Sequence, residues 1–176
     1  MLRDFNLIVT TARGNEGNGC SEIWYLLREM GDTEVEVDKT GVSGLIAAKT
    51  ALNPFEAIEK FRTVLKQHPY EFRYALRIIP IEKVVRTDLN EIQRVATKLA
   101  EKIKAGESFR VTVEKRFTEM SSRAIVEAAA AGIKRRVDLE NPDKIVLIEV
   151  VGGLTGISVI KPDEILSLIK EKMQLS

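Results

Sequence analysis

Basic residues in the middle of the chain carry the side chains best suited to bind a polyanion. Lys115 and Arg116 end a predicted strand, and the nearby Ser121 and Ser122 are good N-cap residues for a helix. Cations at a strand end and the open amides of a helix start together form a seat for a phosphate group. Residues 72–136 hold 15 basic and 8 acidic side chains, whereas the whole chain has a net charge of only +1. This local excess is typical of a face that meets a polyanion.

Further basic residues flank this phosphate seat on the neighbouring strands and on the following helix. They are Arg77, Arg110, Arg123, Lys134 and Arg135. Basic residues at the C-terminal end of a helix often only complement the helix dipole, which is a sufficient explanation for Lys134 and Arg135. It does not explain a Lys-Arg pair at a strand end, so the strand-end pair is the stronger candidate.

The small-residue run Ala128–Gly132 lies on the helix that begins at the phosphate seat. It has two interpretations, which the sequence leaves equally open. The helix surface around Ala130 could let a nucleotide approach closely, or the run could form a tight contact between this helix and the sheet.

A glycine-rich segment at 13–19 lies between a predicted strand and a predicted helix, where a dinucleotide phosphate would bind. Its glycines are spaced G-x-x-G-x-G rather than G-x-G-x-x-G, and no Gly-Lys-Ser/Thr follows. The next strand also turns directly into another strand rather than into a crossover helix. We therefore favour a flexible loop over a nucleotide site.

Catalysis by a nucleophile or a metal finds little support in the composition. The chain has one cysteine and one histidine, which excludes an internal disulfide and a multi-cysteine zinc site. Cys20 lies near a helix start, where the dipole lowers a thiol pKa, but His68 is a loop residue and Cys20 is typical of a packed thiol. The carboxylates do not cluster; Glu149, in a buried strand, requires a partner, and we expect an ion pair. We expect no catalytic, metal or cofactor site.

The elements around these residues predict an α+β fold. In the first half, strand-like runs alternate with two amphipathic helical segments in the order β-α-β-β-α-β, the ferredoxin-like arrangement. The runs lie at 5–11, 33–39, 43–49 and 72–79. Ser21 is the expected N-cap of the first helix, and Asn53-Pro54 opens the second.

The second half begins again with a capped helix and then a strand. The predicted elements are a helix from Asp88, a strand at 108–114, a helix from Ser121 or Ser122 to about 136, strands at 144–151 and 154–160, and a helix from Pro162. Gly152-Gly153 joins the last two strands as a hairpin. The boundary falls within 81–87, which gives domains 1–82 and 83–176. No apolar run is long enough to span a membrane and the start has no signal-peptide form, so we expect a cytoplasmic protein.

The second half resembles a THUMP domain. The resemblance lies in Ser108–Phe117, the Ser121-Ser122 pair, the small-residue helix, and Val137–Val150 with its Asn-Pro-Asp turn. The first half resembles the ferredoxin-like domain that precedes THUMP domains. The resemblance thus implies an N-terminal ferredoxin-like βαββαβ unit followed by an α/β THUMP domain.

This resemblance implies a tRNA-binding adaptor and not an enzyme. THUMP modules grip the acceptor stem and 3′ end of tRNA, and the chain resembles small standalone adaptors that assist a separate tRNA cytidine acetyltransferase in making N4-acetylcytidine. We expect tRNA and that acetyltransferase as partners, with neither DNA nor a membrane. The RNA contacts carried over are Lys115, Arg116, Ser121, Ser122, Arg123 and Ala130, and then Arg77, Arg110, Lys134 and Arg135.

Two alternatives of other classes stay open from the sequence. A small enzyme could bind a nucleotide at the 13–19 loop, or the chain could be a ferredoxin-like scaffold that binds only protein.

Overall fold

The computed structural model describes residues 1–175 and divides into two compact units. The first unit comprises Met1–Ile81 together with the segment that begins at Asp163, and the second comprises Glu82–Pro162. None of the helices in residues 1–175 combines the length and the apolar character needed to cross a membrane.

The chain forms ten strands and five α-helices within the described residues. The strands are β1 (Leu7–Thr11), β2 (Glu36–Lys39), β3 (Leu45–Lys49), β4 (Ala75–Pro80), β5 (Lys83–Arg86), β6 (Ser108–Arg116), β7 (Arg136–Val137), β8 (Lys144–Val151), β9 (Leu154–Ile160) and β10 (Leu166–Ser167). The helices are α1 (Glu16–Glu29), α2 (Pro54–Gln67), α3 (Leu89–Leu99), α4 (Ser122–Ala130) and α5 (Leu168–Leu175).

The first unit has the ferredoxin-like topology that the sequence predicts. Its sheet has the order β10-β4-β1-β3-β2, and every neighbouring pair is antiparallel. Helices α1 and α2 bury Ile23, Leu27, Ile58 and Phe61 in one core with alternate residues of the central strands. Asn53 caps α2 as predicted, because its side chain accepts hydrogen bonds from two amides of the first turn.

Helix α1 begins earlier than the sequence indicates. Its N-cap is Asn15, whose side chain makes no capping hydrogen bond. Ser21 lies inside the helix, where its hydroxyl donates a hydrogen bond to the carbonyl of Gly17. Gly19 is therefore a helical residue. A Cβ atom at Gly19 would lie 2.7 Å from Thr11 Cγ2, so glycine here permits close packing of α1 on β1.

The C-terminal segment belongs to the first unit, whereas the sequence places it in a domain spanning 83–176. Leu166 pairs with Ile78 of β4, and both Leu166 and Leu168 are buried in the core under α1 and α2. Pro162 opens only a single 3-10 turn. The partner strand β4 lies far away along the chain, so the local pattern gives no sign of this pairing.

The second unit is a sheet of order β5-β9-β8-β6-β7 with α3 and α4 packed on it. β8 is central, as its apolar composition predicts, and it pairs in parallel with β6 and antiparallel with β9. Parallel pairing requires a crossover connection, which α4 provides between β6 and β8. Gly152 adopts a positive φ at the β8–β9 turn, which confirms the expected hairpin.

Two elements of this unit differ from the sequence interpretation. The first unit ends at Ile81 and the second begins at Glu82, and the rest of the expected boundary segment 81–87 contains β5, which pairs with β9. Helix α4 ends at Ala130 rather than near 136, and Arg136–Val137 is extended beside the start of β6. Gly132 follows the end of α4 and lies so close to α3 that a Cβ atom there would be 2.3 Å from Thr97 Oγ1.

We expect Gly132→Ala to lower the free energy of unfolding by about 1–3 kcal/mol, because α3 and α4 must separate to admit the methyl group. Chemical denaturation of the full chain measures this change. Thr97→Ala in the same chain should recover part of the loss. Gly153→Ala is the matched control, since nothing lies within 4 Å of its Cβ position. Equal stability of Gly132→Ala and Gly153→Ala would contradict the tight contact.

Candidate nucleic-acid interface

The C-terminal end of β6 and the N-terminal end of α4 meet through a short loop. Ser121 caps α4: its hydroxyl accepts a hydrogen bond from the amide of Ala124 at 3.0 Å. The amides of Ser122 and Arg123 belong to the first helical turn and have no acceptor within the helix. Both residues are exposed, so these amides are presented where an anion can reach them.

Lys115 stands beside this helix start on the same side of the sheet. It follows Phe109, Val111 and Val113 on the face of β6 that packs under the helices. Its side chain is exposed, and its Nζ lies 2.9 Å from the carbonyl oxygen of Met120, directly before the capping serine. The structure therefore places Lys115 beside the start of α4, where Ser121 is the N-cap and Ser122 and Arg123 lie in the first turn, and we call these four residues the strand-end seat.

Arg116 does not join the strand-end seat, contrary to the sequence expectation. Side chains alternate along a strand, so Arg116 points to the opposite face of the sheet from Lys115. Its Nη1 lies 2.7 Å from Oε2 of Glu149, whose side chain is only 1% exposed. The ion pair expected for Glu149 is confirmed, and the guanidinium of Arg116 balances a buried carboxylate instead of facing a phosphate.

Arg123 is the most accessible cation of the strand-end seat. Its side chain is 89% exposed and its Nε lies 3.0 Å from the carboxylate of Glu127, one turn along α4. An exposed pair of this spacing contributes only about 0.3–0.5 kcal/mol. An incoming phosphate group can therefore replace the carboxylate at small cost.

Phe117 is a feature of this loop that the sequence reasoning missed. It is the one non-glycine residue with a positive φ among residues 1–175, at 57°, and its side chain is 75% exposed. A left-handed conformation costs a side-chain-bearing residue about 1–2 kcal/mol. Met120 in the same loop packs against the core. The only signal in the sequence is an aromatic residue directly after a Lys-Arg pair.

The other basic residues that the sequence predicts as RNA contacts in this unit, Arg110, Lys134 and Arg135, lie toward the beginning of β6. Arg136 pairs with Ser108, the first residue of β6, so Lys134 and Arg135 approach the beginning of that strand. Lys115 of the strand-end seat lies seven residues further along β6 than Ser108, a distance of about 23 Å at 3.3 Å per residue. Together with Ala105, Gly106 and Glu107, the basic run 134–136 lines an open cavity of 440 Å³.

Arg110 and Arg135 are partly engaged by backbone carbonyl groups at this end. Arg110 Nη1 donates to Leu139 O at 2.9 Å, and Arg135 Nε donates to Ile103 O at 3.0 Å. The residues predicted for one site therefore form two separate groups in the second unit.

Two other predicted contacts occupy different surroundings. Arg77 is exposed on β4 in the first unit, where it pairs with Thr10 and Ser167. Ala130 is half-buried and packs against the core of the second unit. The packing of Ala130 and the closeness of Gly132 to Thr97 support the interpretation of the small-residue run as a tight contact. The partner of Gly132 in that contact is α3 rather than the sheet.

The glycine-rich segment at 13–19 is a short turn followed by the first turn of α1. The carboxylate of Glu16 accepts hydrogen bonds from the amides of Gly14 at 3.3 Å and Gly44 at 2.8 Å. These hydrogen bonds, first among them that from Gly44, lower the pKa of Glu16. The carboxylate of Glu16 therefore already accepts the amide hydrogen bonds that a bound phosphate would need.

Cys20 has the properties of a packed thiol. It lies within α1 rather than at its start, and burial raises the pKa of its thiol, with the charge of Asp38 adding to the effect. His68 instead shares a hydrogen bond of 3.0 Å with the hydroxyl of Tyr70 on the surface. Within residues 1–175, no three His, Cys, Asp or Glu side chains are arranged to hold a metal ion.

The sequence from 86 to 160 matches the family model of the THUMP domain. This chain contains a THUMP domain. The match includes β6, α4, β8 and β9, and with them the strand-end seat, Phe117 and the basic residues Arg110, Lys134 and Arg135. An uncharacterized protein of Methanocaldococcus jannaschii is 34% identical over an alignment that covers 55% of this chain and 30% of that protein. The chain thus spans under a third of the length of this relative.

Solved structures share the fold. PH1313 from Pyrococcus horikoshii has a TM-score of 0.69 and 23% identity, over 90% of this chain and 55% of that one. TrmN from Thermus thermophilus has a TM-score of 0.54 and 20% identity, over 89% of this chain and 45% of that one. A 4-thiouridine synthetase, in complex with RNA and bound ATP, has a TM-score of 0.56 and 16% identity, over 93% of this chain and 42% of that one.

We expect Arg116→Ala to lower the free energy of unfolding by about 2–4 kcal/mol, because it removes the guanidinium from a buried carboxylate. Arg116→Ala combined with Glu149→Gln should be less destabilised than the sum of the single variants. A double-mutant cycle in urea measures the coupling between the two side chains. Independent effects of the two substitutions would show that the salt bridge does not hold the end of β6.

Proposed function

We propose that this chain binds tRNA through its THUMP domain and presents it to a separate modifying enzyme. The observation that carries the proposal is the strand-end seat within that domain, where an exposed lysine lies beside the open amides of α4. Such amides bind the oxygens of a phosphate group, and a neighbouring cation adds an electrostatic attraction. The presence of a THUMP domain suggests RNA as the source of that phosphate.

The distribution of charge supports an extended polyanion as the ligand. Residues 72–136 have a net charge of +7, and residues 1–71 and 137–176 have −3 each. The THUMP domain contains most of the basic middle segment. A strong local field of this kind attracts nucleic acid and favours contacts to its backbone.

The chemistry of the contacts favours recognition of RNA by shape. Amides, hydroxyl groups and cations at the strand-end seat would contact phosphate and sugar oxygens rather than base edges. Double-stranded RNA is recognised in this way, through its backbone and 2′-hydroxyl groups, because its major groove is too narrow for side chains to enter. The 4-thiouridine synthetase that shares this fold was solved with RNA, which is consistent with the proposal.

We infer that the modifying enzyme is a tRNA cytidine acetyltransferase and that this chain has no catalytic role of its own. The inference comes from the likeness in sequence to the standalone adaptors described above. In this role the protein holds the acceptor stem while the enzyme acetylates a cytidine elsewhere on the same tRNA.

We expect Lys115→Ala combined with Arg123→Ala to weaken tRNA binding by about tenfold at physiological salt, because two phosphate contacts are lost. The slope of log affinity against log salt concentration should fall by about two. Gel-shift titrations at several salt concentrations measure both quantities. Lys66→Ala, an exposed lysine of α2 in the first unit, is the control and should bind as the wild type does. Unchanged affinity in the double variant would contradict the strand-end seat.

We expect the purified protein with tRNA, acetyl-CoA and ATP to form no N4-acetylcytidine, and to raise its formation when a tRNA cytidine acetyltransferase is added. Mass spectrometry of digested tRNA measures the product. The Lys115→Ala, Arg123→Ala variant should lose most of the stimulation, because it no longer holds the tRNA. Product formed by the protein alone would overturn the adaptor role, and so would an acetyltransferase that responds to neither form.

A further inference from the structure

We propose that Phe117 is a stacking platform for an unpaired base of the RNA bound at the strand-end seat. The inference rests on the proposed function and names the part of the RNA that this edge of the domain recognises. It would make Phe117 a residue that favours RNA with an unpaired nucleotide next to the end of a stem over RNA whose stem ends blunt.

The exposure of Phe117 has no structural explanation within its loop. The ring is 75% exposed, although the loop already has an apolar anchor in Met120, which packs against the core. Phe109, the other aromatic residue of the second unit, is 2% exposed. The second unit thus presents a single aromatic ring to solvent, and that ring lies at the edge that carries the seat.

The backbone at Phe117 is held in an unusual conformation. Phe117 has a φ of 57°, a conformation that residues with bulky side chains rarely adopt. The residues on either side are fixed: Arg116 is held by the Glu149 salt bridge, and the amide of Met120 donates to Thr118 Oγ1 at 3.2 Å. The left-handed conformation at Phe117 turns the chain between these fixed points.

The ring of Phe117 and the ammonium group of Lys115 border the same short loop. Lys115 reaches across the loop to the carbonyl of Met120, so its ammonium group lies between the strand end and the helix start. A nucleotide whose phosphate contacts Lys115 and the amides of α4 can therefore extend its base toward Phe117. Bases inside a duplex have both faces covered by their neighbours, whereas an unpaired base offers a free face for an aromatic side chain.

The test compares two RNA hairpins that share one stem, of which one is blunt and the other carries a short unpaired 3′ tail. Phe117→Gly removes the ring but favours the same backbone conformation, since glycine readily adopts a positive φ. We expect this variant to bind the tailed hairpin about tenfold more weakly than the wild type does, and the blunt hairpin equally well. Phe117→Trp should retain the preference for the tail.

A 2-aminopurine base in the tail reports stacking directly. Its fluorescence should be quenched when the wild type or Phe117→Trp binds, and should stay high with Phe117→Gly at saturating protein. Tyr70→Ala, which removes a 68% exposed ring from the first unit, is the matched control and should behave as the wild type. Circular dichroism and thermal unfolding establish that each variant is folded.

The outcomes separate this inference from the proposed function. Equal loss of affinity for both hairpins in Phe117→Gly would show that Phe117 shapes the loop and does not stack, while RNA binding would stand. Unchanged binding of the tailed hairpin would likewise overturn the stacking role alone. Failure of the wild type to bind either hairpin would overturn both proposals.

Discussion

The parallel pairing of β6 with β8 is the constraint on which the candidate interface depends. Lys115 pairs with Val150 and Arg116 with Val151, so the two strands end together. The amide of Gly152 then donates to the carbonyl of Arg116 at 2.8 Å, and the salt bridge to Glu149 holds the side chain. Because the last residue of β6 is held in these ways, the loop that follows and the start of α4 are fixed relative to the sheet.

Because side chains alternate along β6, Lys115 and Arg116 point to opposite faces of the sheet and have different roles. The arginine points to the face where a buried carboxylate requires a cation, and the lysine points to the helix face, where the strand emerges beside α4. Arginine suits the first role, because its guanidinium forms directional hydrogen bonds to a carboxylate in a partly buried place. Lysine suits the second, since its single charge on a flexible stem can follow a phosphate.

Much of the fold follows from patterns in the sequence, because alternation and helical spacing report which face of each element is buried. The two-unit α+β class, the Asn53 cap, the central place of β8 and the hairpin at Gly152 are of this kind. The predicted start of α1 was wrong. Asn15, the N-cap in the structure, makes no side-chain capping hydrogen bond, so Ser21 was the stronger capping signal in the sequence. The pairing of β10 with β4 depends on residues far apart in the chain, which periodicity does not report.

The candidate site was only partly predictable for a related reason. The residue types indicated a phosphate seat, and the structure does place Lys115 beside the start of α4, where Ser121, Ser122 and Arg123 lie. Which cations are balanced internally depends on strand direction and on pairing between distant segments, so the sequence could not separate Arg116 from Lys115. The positive φ of Phe117 likewise results from what holds the chain on both sides of the residue.

The central claim is that RNA docks where β6 ends and α4 begins. Amide chemical shifts of the full chain, followed by NMR during titration with a tailed RNA hairpin, test it most directly. The account predicts that the largest changes occur at residues 115–124. Changes concentrated instead at 134–137, or confined to the first unit, would contradict it.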